Sequence, residues 1–406
     1  MWSRKRLDIG WRDLAAGMIR AFFPPDIEEA EQAVRAAWPE PEKMFPCLSV
    51  RSGFDLLLST LDLPRGSEVL VSAITIPDMV RILETHGLVP VPIDLTPWQM
   101  AADIERWRSA LTPTTRAILV AHLFGGRIDI EPILAFARQH ALRVFEDCAQ
   151  GFAGTSYPGH PEADASMFSF GVIKTSTALG GAVLRIRDAK VLEGMRCRQS
   201  GWPTESRWRY PRRLAKYGAF KLLTGRPAWG LLTTLCRRMG GDYDRWINGA
   251  ARGFPGNDLL RQIRKQPCGP LLAVLAWRLR DYDVCRWANQ AEMGRSLART
   301  LAAAGIACPG AGMCPHVYWV FAVTVSHPQG LVAELAAAGF DATQGQSLCV
   351  VQTPPDRPGL KAVAAGELLS QLVFLPFYPE MPRAECQRMA DVVVRWAQCE
   401  PSKAVR

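Results

Sequence analysis

Residues 115–147 read TRAILVAHLFGGRIDIEPILAFARQHALRVFED, and this stretch decides the fold class. Its two ends, residues 115–125 and 142–147, are short and apolar, which is typical of buried strands. Residues 130–141 between them have the apolar spacing of a helix. A strand, a helix and a second strand in this order form a unit whose two strands run parallel.

The same alternation of patterns extends toward the N-terminus. Residues 68–74 (EVLVSAI) and 89–94 (VPVPID) are strand-like, whereas residues 77–87 (PDMVRILETHG) and 98–111 (WQMAADIERWRSAL) are helix-like. We therefore predict an α/β fold in which a mainly parallel sheet has helices on both faces. Ligands in such folds bind beyond the carboxyl ends of the strands.

The pattern changes from about residue 253 onward. Long helix-like stretches and single strand-like stretches follow, which predicts a smaller α/β domain at the C-terminus. We expect three parts: an N-terminal arm over residues 1–45, a large domain over residues 46–255 with an insertion at about 202–250, and a small C-terminal domain over residues 256–406.

Composition indicates a cytoplasmic protein with a sizeable core. The chain has 406 residues, of which 48% are hydrophobic. Its 11 scattered cysteines include no C-x-x-C pair, which fits reduced thiols. Its six histidines include no H-E-x-x-H pattern, so we expect no metal. Arg12, Asp13 and Arg20 interrupt the N-terminal apolar residues, so we expect no signal peptide.

Two carboxylates, Glu146 and Asp147, end the second strand of the opening stretch. Burial of an ionised carboxylate is costly unless a partner meets it. Either the pair lies in water at the strand end, or a cation binds there. Because ligands bind at this edge of a parallel sheet, the pair marks a candidate site.

Three further features carry possible chemistry. Lys174 follows the apolar residues FGVI, and a buried lysine has a lowered pKa and can act as a nucleophile, although most lysines lie on the surface. Ser52 and Gly53 lead into a helix whose N-terminus would suit a phosphate, or Ser52 is an ordinary cap. His122 ends a strand, where a structural role is the usual one.

A buried aspartate, a buried lysine and a phosphate cradle together match the needs of pyridoxal phosphate (PLP). This cofactor needs a lysine for a Schiff base, a carboxylate that keeps its ring nitrogen protonated, and a phosphate site. The protonated pyridine nitrogen would then be the cation that meets Asp147.

The order and spacing of these motifs resemble the PLP-dependent sugar aminotransferases of the DegT/DnrJ/EryC1/StrS family. The resemblance covers about residues 49–201 and is weaker at residues 316–323 and 372–393. It implies the fold-type-I architecture and PLP as cofactor. The stretches that carry it are SGFDLLLSTLDLPRGSEVLV, THGLVPVPIDL, LTPTTRAILVAHLFGGRIDIEPILAFARQHALRVFEDCAQGFAGT, MFSFGVIK and GGAVL.

The resemblance also implies roles for single residues. Lys174 corresponds to the lysine that carries PLP, and Asp147 to the partner of the pyridine nitrogen. Gln150 corresponds to a glutamine beside the ring hydroxyl, and Ser169 to a serine that holds the phosphate. His122 corresponds to a histidine common at that strand end, for which a catalytic and a structural role both remain open.

Ser52, Gly53 and Phe54 take the positions of the family's phosphate loop. The backbone amides of Gly53 and Phe54 would bind phosphate oxygens. Phe54 replaces the usual threonine, and Ile76 replaces the aromatic ring that usually stacks on the cofactor. Glu146 is expected to point outward without a chemical role.

Two other departures concern the substrate. The family's RNHG is RQSG at residues 198–201, and the segment that usually reaches the partner's site, residues 256–267, does not align securely. The cross-subunit residues of the active site are therefore left open.

Residues 202–240 are longer and more basic than the family pattern. Only Glu205 opposes their nine basic residues, and five aromatic residues lie among these: Trp208, Tyr210, Tyr217, Phe220 and Trp229. A basic and aromatic amphipathic helix is typical of an anionic membrane surface, and it also suits an anionic nucleotide or lipid pyrophosphate. The plainer alternative is a solvated lid or dimer arm. We do not expect nucleic acid as a partner.

We predict a homodimeric PLP-dependent aminotransferase, cytoplasmic and peripheral to the inner face of the membrane. By resemblance, glutamate donates the amino group and a keto-sugar on a nucleotide or lipid carrier accepts it. A dehydratase is a second reading, against which Lys174 argues because relatives of that kind have histidine there. A third is a retired, membrane-associated member of the family, against which Lys174 and Asp147 argue.

Overall fold

A seven-stranded sheet forms the centre of the protein, in the strand order β1-β8-β7-β6-β5-β2-β4. The structure is a computed structural model, and it describes residues 1–4, 6–226, 228–230, 236, 254, 258–345 and 347–399. The strands of this sheet are β1 Met44–Cys47, β2 Glu68–Ser72, β4 Val89–Ile93, β5 Thr115–Ala121, β6 Arg143–Asp147, β7 Ala165–Ser169 and β8 Ala182–Ile186. Two short strands outside it, β3 Ile74–Thr75 and β10 Cys349–Val350, pair with each other.

The sheet is mainly parallel, as predicted. Strands β4, β2, β5, β6 and β7 pair in parallel, whereas β8 pairs antiparallel with both β7 and β1. The opening stretch forms β5, a helix and β6, with Ala121 opposite Asp147 in the register. The carboxyl ends of these parallel strands therefore share one edge of the sheet.

Fourteen helices, numbered over the described residues, accompany the strands. They are α1 Trp11–Phe22, α2 Ile27–Arg35, α3 Val50–Leu61, α4 Pro77–Thr85, α5 Ile104–Ala110, α6 Glu131–Gln139, α7 Ala189–Ser200, α8 Arg209–Leu223, α9 Leu259–Ile263, α10 Gly269–Arg280, α11 Val284–Ala303, α12 Pro328–Ala337, α13 Val363–Gln371 and α14 Arg383–Cys399.

Both faces of the sheet are buried because neighbouring residues of each strand face opposite ways. In β5, Ile118 and Val120 join the core that contains Trp107 of α5. Ala117 and Leu119 join the opposite core, which contains Phe54 of α3. The apolar runs that the sequence shows are thus strands covered on two sides.

The C-terminal residues form a separate core of their own. Strands β9 (Phe321–Thr324) and β11 (Leu372–Leu375) pair antiparallel, and helices α11, α12 and α14 contribute to the same core. Helix α10, which the sequence assigned to the small domain, shares its core with α1, α2 and α8. The division into three parts remains a prediction.

The basic segment at residues 202–240 is described only in part. Arg237 and Arg238, and most of residues 231–257, lie outside the described residues. The expected amphipathic helix is present as α8. A membrane anchor needs exposed aromatic residues, but most of those named in this segment are buried: Tyr210, Tyr217, Phe220 and Trp229 are buried, and Trp208 is exposed.

No helix within the described residues has the length and the apolar composition to cross a bilayer.

Candidate active site

Three strand ends and one loop bring the predicted site residues to a single edge of the sheet. His122 follows β5, Asp147 ends β6 and Ser169 ends β7. The loop between β7 and β8 carries Lys174. The charge of Lys174 lowers the pKa of Asp147, and the charge of Asp147 raises the pKa of Lys174. The parallel order of the strands, read from sequence, is what predicts this convergence.

Asp147 has one oxygen available toward the site. Its Oδ1 accepts the amide of Ala149 at 3.0 Å. Within the described part of the chain, Oδ2 has no hydrogen-bond partner. Burial raises the pKa of Asp147, while the Ala149 amide and the charge of Lys174 act in the opposite direction. A cation at the free oxygen would favour the ionised form further.

Lys174 lies against an aromatic ring. Its Nζ is 4.2 Å from the ring centroid of Trp319, and the indole N–H of Trp319 donates to the carbonyl of Ile173 at 2.9 Å. Burial lowers the pKa of Lys174 to about 8; Asp147 opposes this shift and Arg51 adds to it. A lysine with this pKa is partly neutral near physiological pH, as a nucleophile requires.

Glu146 does not point outward, so that expectation is wrong. Its side chain is buried and accepts four hydrogen bonds, from His122 Nε2 at 3.0 Å, Tyr157 OH at 2.6 Å, Ser166 Oγ at 2.5 Å and the amide of His160 at 2.7 Å. Burial alone would raise the pKa of Glu146, but these donors, His122 foremost, lower it to about 2. Side chains alternate along a strand, so Glu146 and Asp147 face opposite sides.

His122 has both ring nitrogens occupied. Nδ1 accepts the amide of Ile128 at 3.2 Å, so Nε2 carries the proton and donates to Glu146. His122, Glu146 and Cys148 also place potential ligand atoms within 4.8 Å of one another. Because the histidine and the carboxylate are already hydrogen-bonded, the cluster is a structural network that fixes the end of β6.

Helix α3, whose N-terminus is the predicted phosphate site, begins earlier than the sequence indicated. Helix α3 begins at Val50, and its N-cap is Ser49, whose Oγ accepts the amide of Ser52 at 3.1 Å. The amide of Gly53 donates to the carbonyl of Ser49 at 3.0 Å and is not free. The amides without an intrahelical partner are those of Val50 and Arg51.

Gly53 and Phe54 have packing roles instead. A Cβ on Gly53 would lie 2.5 Å from Leu184 Cδ1, so glycine lets α3 approach β8. The buried ring of Phe54 meets Phe145 edge-on at 6.3 Å. Phe54 lies one turn inside α3, so its amide is paired within the helix. In this structure the Gly53 amide is already paired within the helix, so the binding of phosphate by these two amides remains a prediction.

Arg51 is a site residue that the sequence reasoning missed. It is the second residue of α3, and its Nε donates to Asp78 Oδ2 at 2.5 Å. Its charge acts on both Lys174 and Asp147. Correct placement of the helix start at Val50 would have revealed it, since Arg51 then stands beside the free amides.

Three more predicted residues lie at the same edge. Ile76 is the N-cap residue of α4 and is partly buried. Gln150 Oε1 accepts the amide of Phe124 at 3.0 Å, which ties it to the turn after β5. Ser169 is partly buried at the end of β7. Their contacts with a cofactor remain predictions.

Long-range contacts hold the loop that carries Lys174. The amide of Ser176 donates to Asp8 Oδ2 at 2.6 Å, and Tyr210 OH donates to the carbonyl of Ala178 at 3.0 Å. The N-terminal arm and α8 thus brace the loop from outside the sheet. No sequence signal reveals these residues, because their partners lie far away in the chain.

Residues 37–213 match the DegT/DnrJ/EryC1/StrS aminotransferase family. This match confirms the resemblance over the part of the chain that builds the sheet and its carboxyl edge, which is less than half of the chain.

Two curated proteins are similar to part of this chain. GDP-perosamine synthase of Caulobacter vibrioides is 30% identical over 169 residues, which are 41% of this chain and 45% of that protein. UDP-N-acetyl-3-dehydro-alpha-D-glucosamine 3-aminotransferase of Acidithiobacillus ferrooxidans is 33% identical over 165 residues, 39% of this chain and 44% of that protein. The matches thus span less than half the length of these relatives.

Solved structures confirm the fold over nearly the whole chain. The aminotransferase TlmJ from Streptoalloteichus hindustanus is 16% identical with a TM-score of 0.68, and 97% of this chain and 98% of that one are covered. An aminotransferase from Psychrobacter cryohalolentis is 18% identical with a TM-score of 0.67, again with 97% and 98% covered. At these identities the likeness shows the fold alone.

Proposed function

We propose that the protein is a PLP-dependent aminotransferase that moves an amino group from an amino acid, glutamate by family resemblance, to a keto-sugar. The observation that carries the proposal is the pair of Lys174 and Asp147 at the carboxyl edge of the sheet. Lys174 has a pKa lowered to about 8, and Asp147 has a partly buried carboxylate with one free oxygen.

The residues present fit PLP. Lys174 would hold the cofactor covalently, and the free oxygen of Asp147 would accept the proton-bearing ring nitrogen. The free amides at the start of α3, with Arg51 and Ser169 nearby, offer a cationic and hydrogen-bonding place for the phosphate. When bound, PLP supplies an electron sink for the carbanion formed at the substrate carbon.

Four residues of the candidate site have defined tasks in this proposal. The neutral amine of Lys174 takes the proton from the substrate carbon, and its lowered pKa makes the neutral form available. The negative charge of Asp147 keeps the ring nitrogen protonated. The Glu146–His122 network fixes the end of β6, and so the position of Asp147.

The acceptor class comes from the relatives. Their names place a GDP-linked and a UDP-linked sugar in the two proteins, which supports a carrier-linked keto-sugar here. Lys174 speaks against a dehydratase, and its lowered pKa beside Asp147 speaks against a retired site. Homodimer formation, a role in polysaccharide biosynthesis, a cytoplasmic location and contact of residues 202–240 with a membrane are further parts of the proposal.

A spectral assay tests the function. Purified protein loaded with PLP should absorb in the visible region, and addition of glutamate without an acceptor should abolish that band as the amino group is transferred. Addition of a keto-sugar on a nucleotide or lipid carrier should restore it. Lys174→Ala should show neither change, whereas Lys190→Ala, which removes an exposed lysine on α7, should behave as wild type. PLP binding without any glutamate response would contradict the proposal.

A further inference from the structure

Exposed apolar side chains of the described residues are concentrated on one surface. Twelve large hydrophobic side chains are exposed, and seven of them lie on or beside the antiparallel helices α1 and α8. We call this the α1–α8 surface; its apolar members are Trp11, Ile19, Phe22, Phe23, Trp208, Leu222 and Leu223.

Helix α1 presents an apolar face to solvent. Trp11, Ile19 and Phe22 recur at helical spacing and are 52%, 62% and 56% exposed, while Leu14 on the opposite face is buried. A surface helix normally directs its apolar face inward and polar residues outward. Helix α1 has apolar residues on both sides, and those on its outer face remain more than half exposed.

Helix α8 extends this face. Trp208, before its first residue, meets Phe22 at 6.1 Å between ring centroids. At the other end, a Cβ on Gly218 would be 3.9 Å from the Trp11 ring. Leu214 packs against Gly17 between these points. The two outer faces are therefore continuous.

Cationic side chains accompany the apolar ones. Arg12, Arg207, Arg209 and Arg212 are exposed, and none of them has an ion pair among the residues that the structure describes. Glu205, the acidic residue of this segment, is buried and bonded to Arg213 at 3.0 Å. The surface is therefore apolar and positively charged at once.

We infer that the α1–α8 surface docks on an anionic lipid bilayer, with α1 as the apolar anchor. An interfacial helix pair of this kind buries apolar residues at the headgroup boundary while arginines meet lipid phosphates. A second copy of the chain fits less well, because a two-fold contact would bring two positively charged surfaces together. The docking itself does not depend on the proposed function. Only its purpose, access to a lipid-carried acceptor, rests on that function.

The inner face of α8 connects this surface to the candidate active site. Tyr210 donates to Ala178, and Arg213 Nη1 lies 3.4 Å from the carbonyl of Leu179. Both carbonyls belong to the loop that carries Lys174. Docking through α8 would therefore place that loop about one helix diameter, roughly 10 Å, from the bilayer surface.

Vesicle flotation with the full chain tests the inference. We expect binding to phosphatidylcholine vesicles that contain phosphatidylglycerol, little binding without it, and weakening by salt. The combined change Arg207→Ala, Arg209→Ala and Arg212→Ala should weaken binding by about a hundredfold or more, because each basic residue contributes about 1 kcal/mol near such a surface. The matched control Arg295→Ala, Arg299→Ala and Arg395→Ala removes three exposed arginines elsewhere and should leave binding unchanged.

A second variant tests the apolar anchor. The combined change Ile19→Ser, Phe22→Ser and Phe23→Ser should weaken binding even at low salt, whereas Val284→Ser with Val363→Ser should not. Circular dichroism checks that each variant is folded. Absence of wild-type flotation, or wild-type binding by the triple serine variant of α1, would overturn the inference. The inference would also be overturned if the α1 variant dissociated a dimer of the protein and left flotation unchanged. Transfer from glutamate should persist in every variant, which separates failure here from failure of the proposed function.

Discussion

Asp147→Asn removes a charge from the candidate site while its shape is kept. The amide oxygen of asparagine can still accept the Ala149 amide, which now lies 3.0 Å from Oδ1. The charge that holds a proton on the cofactor ring is lost. We expect the rate of amino transfer from glutamate to fall at least about a hundredfold, which is about 2.7 kcal/mol of transition-state stabilisation.

The pKa of Lys174 offers an independent readout of the same change. The charge of Asp147 raises the pKa of Lys174 against burial, which has lowered it to about 8. Without that charge the pKa of the free Lys174 amine should fall further. The rate at which cofactor-free protein takes up PLP, followed as growth of the visible band, should therefore reach its plateau at lower pH.

Stopped-flow absorbance with saturating glutamate gives the rate, and a pH series of spectra gives the titration. Asp188→Asn is the matched control, because Asp188 caps α7 away from the site and asparagine also caps. If the Asp147 variant is folded, binds PLP and transfers the amino group at nearly the wild-type rate, Asp147 does not serve the ring nitrogen.

Three further outcomes follow from the packing and charge of the site. Glu146→Gln should lower the urea midpoint, since an amide group cannot accept from all four donors. In the wild type the ionised Glu146 stabilises the fold fully above about pH 4.5, and this stabilisation should be lost as the pH falls toward 2, the pKa of Glu146 in the folded state. Arg51→Ala should weaken PLP binding in a fluorescence titration and, because a neighbouring cation is removed, raise the pKa of Lys174 above about 8. Gly53→Ala should lower the free energy of unfolding by about 1–3 kcal/mol, since its Cβ would lie 2.5 Å from Leu184. Equal urea midpoints, an unchanged PLP affinity and an unchanged unfolding free energy would contradict these three in turn.

Local pattern was sufficient for the sheet and for the two central site residues. Residues 115–147 fold as the predicted strand, helix and strand. Asp147 and Lys174 could be placed because each stands at the end of an apolar run, and the ends of parallel strands meet at one edge.

Local pattern was not sufficient where two neighbouring residues suit the same task. Ser49 and Ser52 can both cap a helix, and the sequence reasoning started α3 near Ser52. The structure starts the helix at Val50. Because of this difference of three residues, the sequence assigned the phosphate to amides inside the helix and missed Arg51.

The other wrong predictions concern which side chains are buried, and these depend on contacts between distant parts of the chain. The donors that hold Glu146 inside come from His122 and from residues 157–166. The aromatic residues within α8 are buried because α1 packs on that helix and both share a core with α10. The apolar residues left exposed are mostly those of α1, together with Trp208, Leu222 and Leu223. Sequence spacing shows that a helix is amphipathic, but not which neighbour covers which face.

The central claim is that Lys174 carries the cofactor at this edge of the sheet. Reduction of the PLP-loaded protein with borohydride, followed by proteolysis and mass spectrometry of the labelled peptide, tests it most directly. We predict that the label lies on Lys174, in the loop between β7 and β8, and that prior addition of glutamate prevents labelling. A label on any other lysine, or labelling that glutamate does not affect, would contradict the claim.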